Sequence, residues 1–127
     1  MSTSSNAPAH LVVFYVRSTA QSVDFYTRLL GQPPVEQSPG FAMFALGPGL
    51  MLGLWAIPGV LPPATPAGGA ELVFALPSAA EVKARHAAWN ALSVPMAQMP
   101  AALDFGYTFT ALDPDGHRLR VFAAAEA

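Results

Sequence analysis

The stretch that most limits how this chain can fold is Ile57 to Gly69. It holds Pro58, Pro62, Pro63 and Pro66 together with Gly59, Gly68 and Gly69. Proline removes backbone donors and glycine raises the entropic cost of order, so neither helix nor strand is expected there. The run reads as a Pro/Gly linker, residues 57–69, with a half-chain on either side.

The two halves repeat one order of elements. In the first, His10 to Val16 is short, β-branched and aromatic, as a buried strand is. Ser18 or Thr19 can cap a helix in which Val23, Phe25/Tyr26 and Leu29/Leu30 recur at helical spacing, and Gly31 ends it. Pro33 and Pro34 force extended chain into a short strand, Val35 to Ser38, placed at an edge. Strands Phe41 to Leu46 and Leu50 to Ala56 follow, separated by Gly47-Pro48-Gly49. In the second half, Glu71 to Leu76 is a strand. Ser78 caps a helix with Glu81 at capping-box spacing, and Val82, Arg85/His86, Trp89 and Leu92 continue it. Val94 to Met99 is a strand despite Pro95, hence also at an edge, and a closing hairpin completes the half.

The expected fold is α+β: tandem β-α-β-β-β modules at 10–56 and 70–124 within one domain, preceded by a disordered terminus at 1–9. A helix covers one face of each four-stranded module and leaves the other bare. Two such modules facing each other would make a cup-shaped mixed sheet with large apolar residues inside, closed by a second copy of the chain. Phe14 and Phe74 either line that cup or pack beneath the helices.

In the hairpin, two period-2 runs flank Asp113-Pro114-Asp115-Gly116. Pro114 presets φ, Gly116 supplies a positive φ, and the aspartates can bond local backbone N–H groups. Phe105, Tyr107, Phe109 and Ala111 are expected on one face of the first run. Arg118, Arg120 and Phe122 share a face of the second, with His117, Leu119 and Val121 on its other. Arg120, in the middle of an apolar strand, is the odd residue.

Composition narrows the function. With 127 residues, 53% hydrophobic and 11% charged, the chain is apolar enough to expect a covered surface or an apolar cavity. A net charge of −2 without a basic run argues against nucleic acid. The absence of cysteine excludes thiol chemistry. No apolar run reaches the roughly 18 residues of a membrane span, and no leader pattern is present, so a cytoplasmic protein with no membrane partner is expected.

The element order, Val23-Asp24-Phe25-Tyr26 with Leu30-Gly31, and Asp113-Pro114-Asp115-Gly116-His117 together resemble the vicinal oxygen chelate superfamily, over residues 10 to 124. That superfamily includes glyoxalase I, extradiol dioxygenases, fosfomycin resistance enzymes and bleomycin-binding proteins. The resemblance implies four metal-ligand positions, which fall on Leu11, Gly53, Glu71 and Arg120. Of these only Glu71 offers a donor, and Arg120 brings a fixed positive charge. No metal and no cofactor are therefore expected, with Glu71 and Arg120 forming an ion pair. Arg120 either serves structure alone or also anchors an anionic or carbonyl group. Leu54-Trp55, Asp104 to Phe109 and Arg120-Val121 further resemble the phenazine antibiotic resistance proteins. That implies a metal-free homodimer binding a planar aromatic at the subunit interface, with Trp55 stacking on it.

Beside Trp55, the candidate ligand contacts are Phe41, Met43, Met51, Phe105, Tyr107, Phe109, Arg120 and Glu71. Met96 and Met99 are further adaptable apolar groups. Each of these packs as ordinary core in the plainer reading. His86 and Trp89 are expected on the back of the sheet or half-exposed, His117 at the surface of its turn, and Asp113 and Asp115 bonded to backbone. No nucleophile or acid–base pair stands out, so binding without turnover is expected. The alternative is a metal-dependent glyoxalase- or dioxygenase-type enzyme with a rearranged site using His10, Glu71 and perhaps His86. A third is an interaction module without a ligand.

Overall fold

A computed structural model describes residues 10–66 and 69–125. The disorder expected at 1–9 and the linker residues 67 and 68 lie outside those. The elements are β1 (His10–Val16), α1 (Thr19–Leu30), β2 (Glu36–Ser38), β3 (Phe41–Gly47) and β4 (Leu50–Ala56). After the linker come β5 (Glu71–Ala75), α2 (Ala79–Ala91), β6 (Met96–Leu103), β7 (Gly106–Leu112) and β8 (Arg118–Ala124). The chain divides into two compact units between Thr65 and Pro66.

In the first unit the sheet order is β1-β4-β3-β2, with β1 parallel to β4 and the other pairs antiparallel. Ser18 Oγ accepts the Gln21 N–H at the start of α1, and Gly31 closes the helix at φ 72°. The helix buries Phe25, Tyr26 and Leu29. Tyr26 packs on Phe44 with ring centroids 6.1 Å apart, above fully buried Ala42, Leu52 and Leu54. Phe44, Leu52 and Leu54 each contribute about 1.5–3 kcal/mol by leaving water, and Ala42 less.

In the second unit the order is β5-β8-β7-β6, with β5 parallel to β8. Ser78 Oγ accepts the Glu81 N–H at the start of α2. Trp89 sits at the centre of the core, edge-on to Phe74 at 5.8 Å and to Phe109 at 5.6 Å. Gly106, at φ 150°, passes so close to the Ala123 carbonyl that no side chain fits there.

Three details differ from the sequence reading. The linker opens with a 3-10 turn, Ile57–Gly59, in which the Val60 N–H donates to the Ile57 carbonyl at 3.1 Å. Pro58 is tolerated because the first N–H groups of any helix lack an internal acceptor. The strand expected from Val94 starts only at Met96 and runs to Leu103, through Pro100. Register slips between Met96 and Gln98 and between Gln98 and Ala101 absorb that proline on an edge strand. The strand expected from Val35 begins at Glu36, although the Val35 N–H still donates to Met43 at 2.7 Å. Among the described residues, no helix is long and apolar enough to cross a membrane.

Candidate functional site

Each unit leaves one sheet face without a helix, and all but two of the candidate residues divide between those two faces. On the first sheet the register pairs Phe41 with Trp55, Met43 with Gly53 and Ala45 with Met51. On the parallel side Leu11 pairs with Met51 and Tyr15 with Trp55. Side chains alternate along a strand and align across it, so Phe41, Met43, Met51 and Trp55 share the face away from α1, with Leu11 and Tyr15. Trp55 is half-buried. The Tyr15 ring meets it edge-on, centroids 6.3 Å apart at 76°, and the indole nitrogen lies against Gly59 of the 3-10 turn. Gly53 leaves a gap that the Phe41 ring and Leu11 fill: a Cβ there would stand 3.0 Å from Phe41 Cζ and 3.3 Å from Leu11 Cδ1.

On the second sheet the bare face is built around Arg120. Its Nε donates to Glu71 Oε1 at 2.7 Å and its Nη2 to Glu71 Oε2 at 2.9 Å. Nη1 donates to Gln98 Oε1 and to Thr108 Oγ1, both at 3.2 Å. Thr110 donates to the same Gln98 oxygen at 3.3 Å, and Thr108 donates to the Val121 carbonyl at 2.8 Å. The guanidinium also lies over the Phe105 ring, 5.7 Å from its centroid, and Phe105 packs edge-on to Phe122 at 6.0 Å. The Arg120 hydrogen bonds hold the Glu71 carboxyl below its ordinary value near 4.5, against the opposing pull of burial, with the arginine's charge adding to them. The same pairing raises Arg120.

Two candidates fall elsewhere. Phe109 pairs with Val121, whereas Arg120 pairs with Thr110, so Phe109 and Arg120 point to opposite faces. Phe109 is fully buried, enclosed by Trp89 and by His86 at 5.2 Å. Tyr107 shares that helix-covered side, with the Lys83 ammonium 5.3 Å from its ring centre. Neither stands with Arg120. Phe105 does, because it precedes Gly106 in the turn and does not continue the alternation of β7. Of the rearranged metal set, His86 and Glu71 are kept apart in the same way. His86 projects from α2 onto Phe109, while Glu71 lies on the sheet's other face with Arg120.

Gln98, Thr108, Thr110, Phe122 and Tyr15 were not anticipated. The signal for Thr108 and Thr110 was present, as two hydroxyls alternating with Phe109 on an otherwise apolar strand. Asp113 acts as expected, its Oδ1 accepting the N–H groups of Asp115 at 2.9 Å and His117 at 2.8 Å.

The residues at the implied metal-ligand positions do not fit a divalent cation. Leu11 and Gly53 have no donor atom, and Phe41 covers Gly53. Arg120 is a cation that already occupies both Glu71 oxygens. Among the described residues, no three His, Cys, Asp or Glu side chains gather closely enough to hold a metal ion.

Comparisons with known proteins agree with the fold. The phenazine antibiotic resistance protein EhpR of Enterobacter agglomerans is 28% identical over 115 residues, covering 88% of each chain. A protein of Agrobacterium tumefaciens solved by solution NMR is 46% identical, with a TM-score of 0.83, over 94% of this chain and 99% of that one. A glyoxalase/bleomycin resistance protein/dioxygenase from Nocardioides superposes with a TM-score of 0.77 at 26% identity, over 95% of this chain and 85% of that one. The sequence model of one family matches residues 8–121, nearly the whole two-module pattern, and the chain belongs to that family, the Glyoxalase/Bleomycin resistance protein/Dioxygenase superfamily.

Proposed function

We propose that this chain is a metal-independent homodimeric protein that sequesters a planar aromatic, phenazine-like molecule without transforming it. The observation that carries the reading is the Arg120–Glu71 fork. It neutralises the one carboxylate available at the implied metal positions and leaves no donor set for a catalytic ion. On the bare face of the first sheet, the half-buried Trp55 with Phe41, Met43 and Met51 offers flat and adaptable apolar surface, and on that of the second sheet Phe105 lies over Arg120. The likeness to a phenazine antibiotic resistance protein supports the same ligand class. Exposed Leu11 and Tyr15 on one bare face and Val73 on the other support burial against a second copy.

A stacked ring adds about 0.5–1.5 kcal/mol beyond its burial. Micromolar binding is about −8 kcal/mol, so several contacts act together. The test is titration of phenazines and related planar aromatics against tryptophan fluorescence. Quenching in the native protein and its loss in Trp55→Ala is expected, because Trp89 is core and shielded. Quenching that persists in the variant, or none with any compound, counts against the proposal. So does a stoichiometric divalent metal found by elemental analysis of the purified protein.

A further inference from the structure

Gln98 has a defined orientation, and that orientation has a chemical consequence. Its amide oxygen accepts from Arg120 Nη1 and from Thr110 Oγ1. Arginine can only donate, so the oxygen, not the nitrogen, must face it. The amide nitrogen is thereby turned away from the network. Among the described residues its two N–H groups have no protein partner, and buried unpartnered polar side-chain atoms are confined to Thr19, Ser22 and His86. The Gln98 nitrogen is therefore accessible to solvent. The cross-strand pair with Thr110 puts it on the bare face with Arg120 and Phe105.

We propose that Gln98 is the specificity-determining residue of this face, donating to a neutral hydrogen-bond acceptor, a ring nitrogen or carbonyl oxygen, on the planar ligand. The polar groups left open there differ in what they can recognise. Arg120 keeps one of its five N–H groups, on Nη2, after its four bonds. Glu71 stands against that same nitrogen, and its carboxylate repels an anionic ligand. A carboxylate ligand seeking a two-pronged grip on Arg120 finds the fork already occupied, which leaves Arg120 to hold Gln98 and Gln98 to read the ligand. The site thus favours heteroaromatic or quinone-like molecules over both bare hydrocarbons and acids.

This inference rests on the proposed binding of planar aromatics, and phenazine and anthracene separate the two. They share a three-ring outline and differ by two ring nitrogens that accept hydrogen bonds. Equilibrium dialysis at submicromolar ligand is run with the native protein, Gln98→Leu and Gln98→Glu. Gln98→Glu keeps the shape and the acceptor for Arg120 while removing the donor. Both variants are expected to weaken phenazine about tenfold and to leave anthracene within twofold, the size of effect one lost hydrogen bond has. Phenazine binding unchanged in Gln98→Glu, or phenazine and anthracene weakened alike in both variants, overturns the role of Gln98 while the binding function stands. Binding of neither compound to the native protein overturns both.

Discussion

Arg120 and Glu71 meet through two parallel hydrogen bonds, Nε to Oε1 at 2.7 Å and Nη2 to Oε2 at 2.9 Å, on the helix-free face of the second sheet. Their side chains are 18% and 27% exposed, so water screens the pair only in part. Such a two-pronged pair is stronger than a surface ion pair and fixes geometry as well as charge.

The pair makes stability depend on pH in one direction. Glu71 has a folded-state carboxyl held below its ordinary value near 4.5. Its contribution is complete above that value and is lost as pH falls through the lower folded value. Urea unfolding from pH 7 down to pH 3 is expected to show native stability falling more steeply than in Glu71→Gln. At pH 7 that variant should be less stable by about 1–2 kcal/mol, the scale of a charge-assisted hydrogen bond. Parallel pH profiles for the two proteins would mean the fork adds nothing to folding.

Phe109→Ala should damage the fold and not the ligand surface. The ring is fully buried among Trp89, His86 and Val121's strand. Its loss leaves a cavity and costs about 3–5 kcal/mol. Thermal denaturation gives the size of the loss, and ligand affinity of the folded fraction should be unchanged. A drop in affinity without a drop in stability would place Phe109 at the site after all.

Gly53→Ala tests the filled gap on the first sheet. The added methyl gains about 0.5–1 kcal/mol in backbone entropy but presses on the Phe41 ring, at roughly 1–3 kcal/mol for overpacking. A net loss near 1 kcal/mol is expected, with changed NMR shifts for the Phe41 ring and Leu11 methyls. A more stable variant with unshifted Phe41 resonances would show that the ring does not rely on the missing side chain.

Ser93 ends α2 in the left-handed region, φ 62°, with its N–H donating to Asn90 and the Val94 N–H to Trp89. A residue with a Cβ bears about 1–2 kcal/mol of strain there, which glycine avoids. Ser93→Gly should therefore stabilise the protein by about 1 kcal/mol despite glycine's larger unfolded-state entropy. Chemical denaturation decides it, and a destabilised variant would contradict the cap geometry.

The elements were legible because their signals are local. Ser18, Gly31 and Ser78 act at the helix ends they were expected to define, and Pro33-Pro34 and Pro95 precede edge strands. The Asp113 turn closes as its residues imply, since an aspartate reaches N–H groups within four residues of itself. The pairing of Glu71 with Arg120 was legible less directly, from the metal-ligand positions that the family resemblance lays on both residues and the opposite charges they bring there.

The composition of the bare faces was less legible. Phe105 looked like the start of β7's alternation, but the turn at Asp104-Phe105 and the backbone of Gly106 set it on the Arg120 side. Gln98 lies between two register slips on a proline-interrupted edge strand, where counting by twos no longer identifies a face.

By itself the sequence determined the two-module order, the helix caps, the turns, and the lack of donor atoms at Leu11 and Gly53, because each depends on residues within a few positions or on side-chain chemistry alone. Only the tertiary structure decided which face each strand shows to its helix, that Phe109 belongs to the core, and that Gln98 and Thr108 complete the shell of Arg120. The physical reason lies in the register. Residues 113–117 set β7 against β8 so that Arg120 pairs with Thr110, and a shift of one residue in either strand would have put Phe109 beside Arg120 instead.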